Sequence, residues 1–149
     1  MEPELIKLRP AQPADHPALF ALHCAVFRPH IEVLWGWDED WQRANFAAEC
    51  AAATTCVIEV EGRLVGYLQT LEEEGRLYVQ NIAMAEQAQG QGIGARLLQR
   101  LQFKAAGRGL PLQLGVFRSN TRAQRFYERL GFLQTGTTET HIEMSWSAT

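Results

Sequence analysis

Three glycines at alternate positions, Gly90, Gly92 and Gly94, open the stretch QGQGIGARLLQRL (Gln89–Leu101), directly before a run with helical periodicity. A glycine held in a regular element costs about 0.5–1 kcal/mol relative to alanine, because its unfolded backbone has more freedom to lose. Three together mean that something approaches the main chain closely. A strand, then glycines, then a helix N-terminus makes an anion site: the first amides of the helix lack intrahelical acceptors, and the helix dipole adds positive potential. Spacing excludes two such motifs. A P-loop needs Lys and then Ser or Thr after its last glycine, whereas Gly94 is followed by Ala95 and Arg96. A dinucleotide fingerprint needs a third glycine where Leu97 stands.

The surrounding pattern predicts an α+β fold. Leu5, Ile6 and Leu8 read as a short strand stopped by Pro10 and Pro13, and Leu19, Leu22 and Val26 recur at helical spacing until Pro29. Asp38 caps a second helix running to about Ala52, with Trp37 and Trp41 at i, i+4 spacing. Two β-rich runs meet at Glu61-Gly62, a hairpin signal, and EEEGR marks another turn before the strand RLYVQNIAM. Ile93, Leu97, Leu98 and Leu101 share one face of the helix after the glycines. LQLGVF is a strand, NTRAQRFYERL is a helix capped by Asn120 or Ser119, and Gly131 sits at its C′ position. Strands near Phe132–Thr135 and Glu139–Trp146 close the chain. The order β-α-α-β-β-β-α-β-α-β-β gives a mixed, mostly antiparallel sheet flanked by about four helices. No repeat, low-complexity tract or linker interrupts the 149 residues, so the expectation is one domain over 1–149.

Composition narrows the function classes. A net charge of −3 argues against general affinity for nucleic acid or anionic membrane. No apolar run approaches the ~20 residues of a membrane helix, and MEPELIKLRP does not read as a secretory signal. Cys24, Cys50 and Cys56 are odd in number and have no CxxC spacing, so free thiols in a reducing cytoplasm are expected, with no metal.

Gln89, Gly92 and Gly94 satisfy Q/R-x-x-G-x-G/A, which resembles the acetyl-CoA-binding motif of the GNAT superfamily of N-acetyltransferases. Asn120–Phe132, NTRAQRFYERLGF, resembles the second signature of that family, and the element order matches along nearly the whole chain. Carried onto these positions, the resemblance implies a set of roles. Backbone groups of Ile82 and Met84, flanking Ala83, would pair with pantetheine like an added strand. The amides of Gln89, Gly90, Gln91, Gly92, Ile93, Gly94 and Ala95 would hold the diphosphate. Asn120 would bond the pantetheine side, with Ala123 and Phe126 packed beside it, and Tyr127 would stand near the thioester sulfur.

The implied reaction is direct attack of an amine on acetyl-CoA in a ternary complex, with no cysteine nucleophile. A backbone N–H from Asn81–Ala83 would stabilise the oxyanion, and Tyr127 would act as general acid to the departing thiolate. An alkylamine with pKa about 10.4 must first lose a proton, at about 4.6 kcal/mol at pH 7. Family members often carry a Glu for this step on the strand before the glycines. Here that strand has no carboxylate; Arg76, Tyr78 and Gln80 share a face, and none is a convincing base. Glu72, Glu73 and Glu74 read as a solvated hairpin tip, and nothing places His23, His30 or His141 at the thioester. The base stays open.

For the acceptor (a small amine, an amino acid or a peptide N-terminus), WGWDEDW offers Trp35, Trp37 and Asp38, and the strand offers Gln80. The competing reading of Asp38 is simply a helix cap. Homodimers are common for this fold, an expectation that rests on the resemblance alone. Two other classes share the fold: a non-catalytic acyl-CoA sensor, and a protein-interaction module whose glycine loop is only structural.

Overall fold

The computed structural model describes residues 5–73 and 75–148. Among them are seven strands and four helices: β1 (Ile6–Pro10), α1 (His16–Trp35), α2 (Glu39–Ala52), β2 (Thr54–Val60), β3 (Arg63–Glu73), β4 (Arg76–Met84), α3 (Ile93–Gly107), β5 (Leu112–Phe117), α4 (Thr121–Arg129), β6 (Leu133–Thr137) and β7 (His141–Trp146). The strands pair in the order β1-β2-β3-β4-β5-β7-β6. β4 and β5 form a parallel pair, and β1–β2, β2–β3, β5–β7 and β6–β7 are antiparallel. This is the α+β architecture and the element order that the sequence predicts.

Contacts cluster into two compact units, Met1–Thr70 with Asn81–Gly94, and Leu71–Gln80 with Ala95–Thr149. The first has a core of Leu19, Phe20, Phe46, Val57, Tyr67 and Ala83. Aromatic rings tile it: Phe46 lies 5.8 Å from Phe20 and 5.6 Å, edge-on, from Tyr67. The β2–β3 hairpin turns at Glu61 and Gly62, both at positive φ (53° and 78°), the paired left-handed geometry that a two-residue hairpin turn requires. Asp38 caps α2 by accepting the Trp41 backbone N–H at 3.0 Å.

In the second unit the period-2 alternation is plain. Leu112, Leu114 and Val116 of β5 are buried, as are Leu77 and Val79 of β4. The register sets Leu77 beside Leu112 and Val79 beside Leu114, so the polar partners Arg76, Tyr78 and Gln113 fall on the other face. Leu97, Leu98 and Leu101 of α3 are buried as their spacing predicts, each contributing about 1.5–3 kcal/mol of transfer free energy.

Two expectations need correction. Helix α1 does not stop at Pro29 but continues to Trp35. Proline removes one backbone donor, yet its φ suits a helix, and burial of Ile31 together with the Arg28–Glu32 ion pair (2.9 Å) offsets the lost bond. Trp37 lies before α2, so it forms no helical pair with Trp41; its Nε1–H donates to Glu39 (2.9 Å) under the Arg28 guanidinium. Glu72 and Glu73 lie exposed at the β3–β4 turn, as the sequence predicts; there Glu72 pairs with Arg108, and Glu73 with Arg76 at 2.7 Å. Glu74 lies outside the described residues.

Candidate active site

In the first unit, β4 ends at Met84 and the chain passes through a short 3-10 turn (Glu86–Ala88) into the glycine loop and the first residues of α3. Gly90 and Gly92 have φ of +77° and +81°, and a Cβ on either would meet nothing within 4 Å. These glycines are therefore required by backbone conformation and not by crowding; their open side is the space an anion would use. The Gln89 N–H already donates to Glu86 O (3.1 Å), and its side-chain amide donates to Met84 O (3.0 Å). Gln89 thus ties the loop to the end of β4. Ile93, Gly94 and Ala95, in the first turn of α3, have amides without intrahelical acceptors.

The Ile82–Met84 stretch is braced from below. Its Ala83 is buried, and the space where Gly66 would carry a Cβ lies only 2.4 Å from the Ala83 carbonyl oxygen. Asn81 donates to Gln69 Oε1 (2.8 Å), and the wholly buried Gln69 donates to Cys50 Sγ (3.3 Å). This bracing was not anticipated. Its only sequence signal is a glycine and two amides inside strands, where polar side chains need partners once buried.

In the second unit, Asn120 caps α4, its Oδ1 accepting the Ala123 N–H at 3.1 Å. Ala123 and Phe126 are half-buried. Tyr127 is 9% exposed, its ring 5.4 Å from Phe126 and 5.7 Å from Phe132, and among the described residues its hydroxyl makes no hydrogen bond. Burial pushes its phenol up to about 12, so the group is protonated at neutral pH.

The candidate bases divide by location. His23 is buried with Nε2 3.1 Å from Gln42 Oε1, and burial pulls its pKa below the ordinary imidazole value. Burial lowers His30 and His141 likewise, with Glu143 opposing the shift at His141. Trp35 is 63% exposed at the end of α1, Trp37 is half-buried, Asp38 is exposed as a cap, and Gln80 is half-buried on β4. None of the three cysteines is in a disulfide, and all are half-buried. Among the described residues no group of three or more His, Cys, Asp or Glu is arranged to hold a metal ion, and no helix is long and apolar enough to cross a membrane.

Residues 17–132 match the acetyltransferase (GNAT) family, a span that includes the glycine loop and α4. A probable N-acetyltransferase of Mycobacterium tuberculosis is 26% identical over 97% of this chain and 90% of its own. An uncharacterised N-acetyltransferase of the same organism is 35% identical over 67% of each chain. Among solved structures, the PaiA N-acetyltransferase of Thermoplasma acidophilum in complex with coenzyme A superposes with a TM-score of 0.76 at 14% identity, over 96% of this chain and 99% of the other. The ribosomal-protein-S18-alanine N-acetyltransferase of Escherichia coli does so at 0.67 and 24%, over 97% and 96%.

Proposed function

This chain belongs to the acetyltransferase (GNAT) family, and from that premise we propose that it acts as a single N-acetyltransferase domain moving the acetyl group of acetyl-CoA to a primary amine by direct attack. The observation that carries the reading is that the family match brackets both signatures, the loop with Gly90 and Gly92 at positive φ and the Asn120-capped helix bearing Tyr127.

Each residue then has a role. Amides from Gly90 to Ala95 hold the diphosphate, while Gln89 keeps the loop docked on Met84. Ile82, Ala83 and Met84 offer main-chain groups to pantetheine, and an amide of this stretch serves the oxyanion. Asn120, Ala123 and Phe126 flank the cofactor. Tyr127 donates to the departing thiolate, a role its raised pKa suits, since the phenol is the protonated form at neutral pH. Trp35, Trp37, Asp38 and Gln80 stand as candidates for the acceptor. Cysteines outside disulfides fit a cytoplasmic setting.

Calorimetric titration with acetyl-CoA, followed by release of free CoA thiol in the presence of an amine panel, tests the reading. Binding with amine-dependent thiol release is expected. Binding without release would make the chain a sensor, and absence of binding would leave the loop purely structural.

A further inference from the structure

On the polar face of the second unit lies a pocket of about 410 Å³, lined by Arg76, Tyr78, Gln113, Thr135, Gly136 and Glu143, with Met144 beside them. That volume falls in the range of small-molecule sites. The pairing explains its position. Gly115 of β5 is directly opposite Glu143 of β7, and Tyr78 of β4 is opposite Gln113, the residue two before Gly115 on the same face. A Cβ on Gly115 would stand 3.2 Å from the Tyr78 hydroxyl and 3.3 and 3.4 Å from the two Glu143 carboxylate oxygens. Here glycine provides room: a phenol and a carboxylate converge over the one position in the strand that lacks a side chain.

The charges in the pocket are unequal in their commitments. The Arg76 guanidinium donates through Nε and Nη2 to Glu73 (2.9 and 2.7 Å), through Nη1 to Gln113 Oε1 (3.1 Å), and stacks 4.3 Å over the Tyr78 ring. Its cation is already matched. The Glu143 carboxylate, half-buried, has no hydrogen-bond or ion-pair partner among the described residues. The lining holds one cation and one carboxylate; because Arg76 is committed to Glu73, Glu143 is left with Tyr78 and His141 as its electrostatic neighbours and no bonded cation.

We propose that this pocket is the ammonium subsite of the acceptor: Glu143 pairs with the cationic head of an aliphatic primary amine, and Tyr78 flanks it with its hydroxyl. Glu143 thereby supplies from β7 the carboxylate that β4 lacks, and Gly115 admits it. As an acceptor site the proposal rests on the acetyl-transfer reading above; as an ammonium site it stands on the geometry.

The test therefore has two arms. In the first, without acetyl-CoA, n-butylammonium is titrated into the isotopically labelled protein, with n-butanol and butyrate as neutral and anionic controls. Saturable shifts of the Gly115, Gly136 and Glu143 amide signals are expected for n-butylammonium alone, with a midpoint raised at least tenfold in Glu143→Gln. Equal midpoints in wild type and variant, preference for butyrate, or no shift at these amides would overturn the proposal. In the second arm, Glu143→Gln raises the acceptor KM at least tenfold while calorimetric affinity for coenzyme A stays unchanged. Gly115→Ala, which crowds both groups, gives the same split. An unchanged acceptor KM in both variants would also overturn the proposal. If the wild type binds n-butylammonium as expected but takes no acetyl-CoA, the acetyl-transfer reading fails and the subsite stands.

Discussion

Asn120 Oδ1 accepts the Ala123 N–H at 3.1 Å, so the residue expected to meet pantetheine is also the N-cap of α4. The cap uses the oxygen and leaves the amide nitrogen for a ligand. Asn120→Ala should lose about 1 kcal/mol of stability with the cap. Asn120→Asp should restore the melting temperature, because a carboxylate caps equally well, yet it should not restore coenzyme A affinity, because the N–H donors are gone. Wild-type affinity in the Asp variant would remove the side-chain amide from the cofactor site.

Tyr127→Phe should lower turnover more than tenfold, at least ~1.4 kcal/mol of transition-state stabilisation, with acetyl-CoA affinity nearly unchanged. With its pKa pushed up to about 12 by burial, the phenol lies well above a thiol at about 8.5. In the proposed role it would stabilise the leaving thiolate as a hydrogen-bond donor, and no alkaline loss of activity below pH ~10 would belong to it. The sign for stability follows from the same shift. The folded state favours the protonated phenol, so its contribution is whole below the ordinary value of 10 and is lost as pH rises toward about 12. A pH–rate profile of wild type against Phe variant, with calorimetry, reads both parts.

Gly66→Ala places a Cβ 2.4 Å from the Ala83 carbonyl oxygen, a main-chain atom that cannot swing aside. Overpacking of this kind costs about 1–3 kcal/mol. Because the displaced carbonyl belongs to the Ile82–Met84 stretch, the variant should lose coenzyme A affinity along with stability. Denaturant unfolding and calorimetry on one preparation test this, and a variant as stable as wild type would contradict the close approach.

Gly92→Val should act on binding more than on the core. Position 92 has φ of +81° with open space around it, so the burden is conformational, about 1–2 kcal/mol for a side chain held in the left-handed region. The expected result is a folded protein whose calorimetric affinity for acetyl-CoA falls at least tenfold. Undiminished affinity would argue that the loop does not hold the diphosphate.

His23 gives the first unit a pH dependence. Burial pulls its pKa below 6.5 while the Gln42 hydrogen bond opposes the shift. The native state favours the neutral ring, whereas the unfolded chain takes a proton near 6.5, so stability is full above that pH and declines as pH falls through the lowered value. His23→Phe, placed among the rings of Phe20, Phe27 and Phe46, should flatten this slope between about pH 7.5 and about pH 5.5. Urea unfolding at the two pH values measures it, and equal slopes would exclude His23 as the source.

What the sequence by itself determined are the features that near neighbours decide. The hairpin at Glu61-Gly62, the caps at Asp38 and Asn120, the turn at Gly131 with φ of +95° and the buried face of α3 rest on local backbone chemistry and periodicity, so they can be read without the fold. The two motifs that carry the family resemblance were legible for the same reason: closely spaced glycines and a capped helix are local patterns. Only the tertiary structure decided how far α1 runs, because burial of Ile31 outweighs the proline before it. It alone matched Arg108 with Glu72, 36 positions apart, set Gly66 against Ala83, and brought Glu143 to Tyr78 over Gly115. Strand register makes those neighbours, and register is a property of the paired strands together.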